Sequence, residues 1–292
     1  MSPRRDEEGM ILVNVLMFVA IAAGLVLLMI NREEIALDRG LRTREAARAL
    51  AVVRGGELSA LVALRRDGEQ APEVDHVGEP WAKLSENGAP IEGGSFDLAI
   101  ADAEGRFNIN SVRKGEVAAT ILFQAIGNEV GLTSEQVVAA IEYVRLRGPV
   151  TDLRPLRLAG IEPRVADRLE RLVTALPGAT TLNLNAASEE MLAVLFRDAV
   201  IAERLVAVRT RQGYLTAKDL ADQSVSLPWG ASFRSNTFWV RTRATIGGTS
   251  QQAATLIQRR RLPDGSVDAV PVERWRNAAV PPGAPGLPES KR

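Results

Sequence analysis

The chain has 292 residues, 46% of them apolar, and its 36 basic and 36 acidic side chains cancel to a formal charge of zero. That balance excludes wholesale disorder and a chain built mainly to neutralise phosphates, while the length leaves room for about two ordinary domains. There is no cysteine and His76 is the only histidine, which excludes disulfide frameworks, thiolate zinc sites, cysteine nucleophiles and centres built on several imidazoles.

Met10 to Ile30 carries no charge and is interrupted only by Asn14 and Gly24. At roughly 1.5 Å per residue it matches the roughly 30 Å hydrocarbon core of a bilayer, and no Ala-x-Ala-like cleavage site follows it. A single membrane-spanning helix is predicted. Arg4 and Arg5 precede it, so that end is expected to stay cytoplasmic. Beyond the span, Ile35, Leu41, Ala46, Ala49, Leu50, Val53, Leu61 and Leu64 recur at near-helical spacing, with no proline before Pro72. One helix from Met10 to about Arg66 is predicted, with Gly40 and Gly55-Gly56 as weak points, because each glycine disfavours helix by roughly 1 kcal/mol. The Pro- and Gly-rich stretch from Gln70 to Ser95 reads as an irregular connection with His76 at its surface.

Phe96, Leu98 and Ile100 alternate, and Phe107 and Ile109 alternate again after Ala103-Glu104-Gly105, which predicts a hairpin. Thr133 and Gln136 form a capping-box pattern for a helix that Gly148-Pro149 ends. Pro163 opens a second helix, whose stripe Val165, Leu169, Leu172, Val173 and Leu176 stops at Pro177-Gly178. Ser188 caps Glu189 to Phe196, and a further helix is predicted from Val200 to Arg211. After Pro228, Phe238, Val240, Thr242, Ala244 and Ile246 alternate with Trp239, Arg241, Arg243 and Thr245. Turns at Gly247-Gly248 and Pro263-Asp264-Gly265 then predict an antiparallel meander. The tail from Asn277 is predicted to be disordered. A loose echo links FNINS (Phe107 to Ser111) to LNLNAAS (Leu182 to Ser188), and VRLRGPVTDL to VRTRQGYLTAKDL. Their offsets differ, so two related helix-pair units are expected rather than a solenoid.

Catalytic signals are missing: there is no Gly-x-Ser-x-Gly elbow, Walker loop or His-Glu-x-x-His, and no enzyme is predicted. Asp102, Glu104 and Asn108 share a little with a calcium loop but lack its spacing, and read as a polar hairpin turn. Arg259-Arg260-Arg261 reads as a solvated strand end. The competing class is nucleic-acid binding, because LNLNAASEEMLAVLF followed by VIAERLVAVRTRQGYLTAKDL resembles the helix-hairpin-helix of membrane-anchored DNA receptors. That motif needs a glycine-rich turn whose N–H groups reach a phosphate. Arg197-Asp198-Ala199 stands there instead, so no nucleic-acid partner is expected.

The short basic leader, Gly9 and the abrupt apolar run resemble a type IV prepilin signal, an ordinary signal anchor being the alternative. The resemblance implies cleavage after Gly9 by a prepilin peptidase and N-methylation of Met10. EEGMILVNVL, DAEGRFNINSV, DLRPLRLAGIEP, TTLNLNAASEEMLAVLF and SNTFWVRTRATIG, in that order, resemble the general secretion pathway protein K family of type II secretion systems. The implied fold is α+β, with a long N-terminal transmembrane helix and a pilin-like antiparallel sheet core carrying an inserted helical domain. Its expected parts are a leader over 1–9, a helix over 10–68 (10–30 in the membrane), sheet core over 69–110 and 228–276, insert over 111–227, and tail over 277–292.

The implied function is that of a minor pseudopilin at the tip of the pseudopilus, in the inner membrane with its head in the periplasm, helping to initiate or cap the filament. Implied partners are two smaller minor pseudopilins, the major pseudopilin and the peptidase, with secreted cargo or the outer-membrane channel as further candidates. Most pilins carry a glutamate at the fifth position after cleavage. Here that filament-packing position is Asn14, as the family's tip subunit implies. No cofactor is implied beyond the calcium that the family's helical domain can hold, and its ligands cannot be assigned. AIEYVRLRG lacks the family's Asp and Trp near the end of a helix.

Overall fold

The computed structural model describes residues 5–157 and 160–287, with side chains from Leu12 onward except those of Arg157 and Ala278. Arg4, Leu158 and Ala159 lie outside the described residues. The chain is α+β. Helix α1 (Arg5–Gln70) is followed by a short α2 (Pro80–Lys83) and strands β1 (Glu86–Ile91) and β2 (Gly94–Asp102). A mainly helical stretch comes next: β3 (Phe107–Asn108), α3 (Val117–Val130), α4 (Ser134–Arg147), α5 (Arg154–Arg157), α6 (Pro163–Leu172) and β4 (Val173–Thr174). It continues through β5 (Leu182–Asn183), α7 (Glu189–Phe196), α8 (Ala199–Gln212), α9 (Ala217–Asp222) and β6 (Ala231–Ser232). Strands β7 (Thr237–Ile246), β8 (Thr249–Arg261) and β9 (Val267–Arg276) close the fold.

Helix α1 is a rod of about 100 Å at 1.5 Å per residue. Neither Gly40 nor the Gly55-Gly56 pair breaks it, because good helix formers flank both sites. Gly56 has a packing role: a Cβ there would lie 2.6 Å from Cζ of Phe96 and 3.1 Å from Cγ2 of Thr242. Ala49, Val53, Gly56, Ala60 and Leu64 form one buried stripe at spacings of three, four and seven, the helical repeat that lays a single face on a sheet. Glu57 fastens the helix sideways. It accepts from Thr255 Oγ1 at 2.7 Å and from Arg274 Nη2 at 2.7 Å. Burial alone would raise this carboxyl, but Arg274 and Thr255 hold it below the ordinary glutamate range.

The five-stranded sheet has the order β1-β2-β7-β8-β9 and is antiparallel throughout. Leu98, Ile100, Phe238, Val240 and Ile257 meet Ala60, Leu64 and Trp81 on the α1 side. Trp239, Ala254 and Leu256 face the opposite way, with Ala103 and Leu176. The alternation read along Phe238 to Ile246 is therefore that of a strand buried on both faces near its start.

Three expectations are corrected here. Phe96–Ile100 and Phe107–Ile109 do not form a hairpin. β2 lies between β1 and β7, while Phe107 pairs in parallel with Val173. Alternation identifies a strand but not its partner. The stretch from Gln70 to Ser95 is not wholly irregular: Pro80 opens a helical turn that drives Trp81 edge-on against Phe238, with centroids 5.1 Å apart, and β1 is an edge strand that tolerates Pro90. The helix opened by Pro163 stops at Leu172, because Val173-Thr174 leaves it to pair with β3.

The sequence echo is structural. Asn108 Oδ1 accepts from Asn110 N at 3.1 Å, and Asn183 Oδ1 accepts from Asn185 N at 2.9 Å. Asn110 then grips both backbone groups of Val150 (2.8 and 2.9 Å), as Asn185 grips both of Leu215 (3.2 and 2.6 Å). Arg145 donates to Val112 O at 2.9 Å, and Arg209 to Ala187 O at 2.7 Å, each two residues past the gripping asparagine. Each unit is closed by a parallel two-residue bridge, β3 with β4 and β5 with β6. Unequal connections between the same fixed points account for the unequal offsets.

Candidate functional site

Gly9, Met10 and Asn14 all fall within the first turns of α1. Asn14 is exposed, and the side chain of Met10 is not among those described. From Leu12 the helix has an 18-residue window of mean hydropathy 2.7, none of it buried against the rest of the protein. This is a helix long and apolar enough to cross a membrane, and the head leaves it free for lipid or for other helices.

The second site lies where the C-terminal end of α1, the sheet and the helical units meet. The apolar stripe of α1 ends one step on at Asp67, which is buried, as are Asp75, Glu79 and Glu104. One guanidinium serves the first two. Arg259, 4% exposed, donates from Nη1 to Asp67 Oδ2 at 2.9 Å and from Nη2 to Asp75 and to Ser235 O. Its plane lies over the Phe238 ring, 4.6 Å from the centroid. Arg259 is thus not part of a solvated strand end, although Arg260 and Arg261 are exposed. Because β8 alternates, one arginine of three consecutive ones is turned toward α1.

Asp102 and Glu104, read as a polar turn, belong to this junction. Asp102 Oδ2 accepts from Ser235 Oγ at 2.6 Å and from Asn183 Nδ2 at 2.8 Å. Glu104 Oε1 accepts from Asn236 N at 3.2 Å, and its Oε2 has no partner. Asn108 turns away, its Nδ2 donating to Leu176 O and Gly178 O, so these three residues do not converge on a cation. Asp67, Asp75 and Glu79 do bring one oxygen each within 4.8 Å of the others. Arg259 already supplies positive charge to the first two, and Glu79 Oε2 accepts from His76 N and Trp81 Nε1. Calcium asks for six to eight oxygen ligands, and this donor set does not fit it.

Burial, with the neighbouring Glu79, pushes Asp67 up to about 7 against the pull of Arg259. Burial likewise pushes Asp102 up to about 6 and Glu104 up to about 8. An acid whose folded pKa is raised binds more protons folded than unfolded, so its penalty grows as pH climbs from the unfolded to the folded pKa. The urea midpoint is therefore expected to fall between about pH 5 and about pH 8. Asp102→Asn combined with Glu104→Gln should reduce that slope, leaving the part due to Asp67; an unchanged slope would remove those two carboxyls as its source.

His76, expected at the surface, is half-buried and stacks on Tyr214 with centroids 4.6 Å apart. The turn between α7 and α8 offers no phosphate cradle: Asp198 Oδ1 already accepts from Val200 N at 2.8 Å and Ile201 N at 3.1 Å.

No family model matches the chain. It is 28% identical to type II secretion system protein K of Pseudomonas aeruginosa over 88% of this chain and 90% of that one. The corresponding figures for the Klebsiella pneumoniae protein of the same name are 24%, 87% and 93%. Among solved structures, one similar in fold is a chain of the GspK-GspI-GspJ complex from the enterotoxigenic Escherichia coli type 2 secretion system. Its TM-score is 0.61 at 18% identity, covering 82% of this chain and 99% of that one. Along nearly its whole length, the chain is thus similar in sequence to type II secretion system protein K and in fold to a chain of that solved complex.

Proposed function

We propose that this minor pseudopilin of type II secretion occupies the tip of the pseudopilus, where it helps to initiate or cap the filament. The observation that carries the reading is the division of α1 into an unburied apolar half and a half locked on the sheet. Such a rod supplies its own membrane span and then packs with like helices once extracted. On this reading the leader before Met10 is removed, the head projects into the periplasm, and the work is architectural rather than catalytic. A carboxylate within lipid is costly unless paired. A tip subunit has no subunit above it to pair with one, and the uncharged Asn14 fits that position. The bulk inserted between β2 and β7 would obstruct addition of a further subunit. A solved protein of similar fold is found with GspI and GspJ, and two smaller pilin-like proteins are the partners proposed here.

The full chain, purified in detergent from cells carrying the whole secretion system, is expected to bring down two smaller pilin-like proteins in constant ratio. Recovery of the chain by itself from secreting cells would overturn the tip assignment.

A further inference from the structure

The sheet face turned away from α1 carries Trp239 and Arg241, with Trp275 across from them; the two indole centroids are 5.3 Å apart. A segment from Val280 to Pro285 lies over this face. Residues 277–287, expected to be disordered, are held here: Val280 and Ala284 pack with Trp239, Trp275 and Leu256. Pro281-Pro282-Gly283 makes a turn in which Ala284 N donates to Pro281 O at 3.1 Å. Two arginines take carbonyls of the segment, Arg106 Nη2 donating to Gly283 O at 3.2 Å and Arg241 Nη1 to Pro285 O at 3.1 Å. Glycine fits the turn closely, since a Cβ on Gly283 would stand 3.3 Å from Arg106 Nη2 and 3.6 Å from Trp239 Nε1.

The seat offers more than the tail uses. Trp239 is 4% exposed and its Nε1 is enclosed without an acceptor, as is Nε of Arg241. A cavity of about 120 Å³ lies beside the turn, lined in part by Arg106, Leu153, Trp239 and Pro282. Enclosed donors without partners cost free energy that a differently placed carbonyl would recover. Proline suits such a seat, because it brings no N–H to satisfy and loses little freedom on docking. Its rings pack on aromatic faces while its carbonyls remain free to accept.

We propose that this groove is a receptor for a proline-rich segment of a partner protein, with residues 280–287 as an exchangeable occupant in cis. The preferred segment holds a Pro-Pro-Gly turn and sets an additional carbonyl on Trp239 Nε1. The proposal is independent of the position of the subunit in a filament.

The test uses the full chain in detergent, intact or ended after Ala279, and a fluorescein-labelled peptide of residues 279–287 followed by anisotropy. The shortened chain is expected to bind the peptide saturably, and the intact chain at least about tenfold more weakly, because the tethered tail competes at high effective concentration. A peptide with its prolines changed to alanine is expected not to bind. Gly283→Val in the full-length chain crowds the turn, should release the tail, and serves if the shortened chain does not fold. Absence of binding to either folded variant, equal binding of the alanine peptide, or no exchange into the intact chain at millimolar peptide would each overturn the proposal.

Discussion

Arg259→Met is expected to destabilise the head by about 3–5 kcal/mol at pH 8, the usual cost of removing one partner from a buried ion pair. Methionine fills a similar volume, so packing is largely kept and the loss is electrostatic. Asp67 and Asp75 would keep their burial and lose the donor they share, and Ser235 O would lose the guanidinium that donates to it. The loss should shrink near pH 5.5, where Asp67, pushed up to about 7 by its burial, sheds its charge by taking a proton. Urea unfolding of the two proteins at both pH values measures it. Arg260→Met is the comparison: its partner Asp268 lies 3.0 Å away at an exposed strand end, and such pairs contribute about 0–1 kcal/mol. A cost no larger at position 259 than at 260 would mean that the guanidinium does not neutralise the junction.

The second large effect is on export. Gly9→Ala should leave an uncut, slower-migrating precursor and abolish secretion. Helix α1 runs through Gly9, so the bond to Met10 has to leave the helix before a peptidase can close on it. Glycine eases this twice. It weakens the helix by roughly 1 kcal/mol relative to alanine, and with no Cβ it lets another backbone approach closely. Immunoblotting of membranes, mass spectrometry of the N-terminus and assay of secreted protein read the result together. Normal processing and full secretion in the variant would refute the leader assignment.

How much was legible depends on range in the sequence. Caps and turns were readable because they are local. Thr133 with Gln136 does form a capping box, Ser188 Oγ accepts from Met191 N, and the meander turns at Gly247 where expected. The junction was not readable, because its members come from positions as far apart as 67 and 259 and a lone Asp or Arg looks solvated. One signal was present: Asp67 continues the stripe of Ala60 and Leu64, and a charge on an apolar stripe calls for a partner. The paired asparagines were visible as an echo, but their meaning was not, since Asn110 and Asn185 are recognised by what they grip, 40 and 30 residues away. The tail misled by composition. Poor in large apolar groups, its residues 280–287 are held by two carbonyls and by Val280 and Ala284 on a surface that other segments build.

The way α1 is held on the head also sets how the molecule responds to force. With Glu57 clamped by Arg274 and Thr255, and Phe96 seated against Gly56, the C-terminal half of α1 is fixed on the sheet, and the helix runs unbroken from there into the apolar half. Thrust or torsion carried along the helix into that half would therefore pass to the sheet without the one sliding on the other.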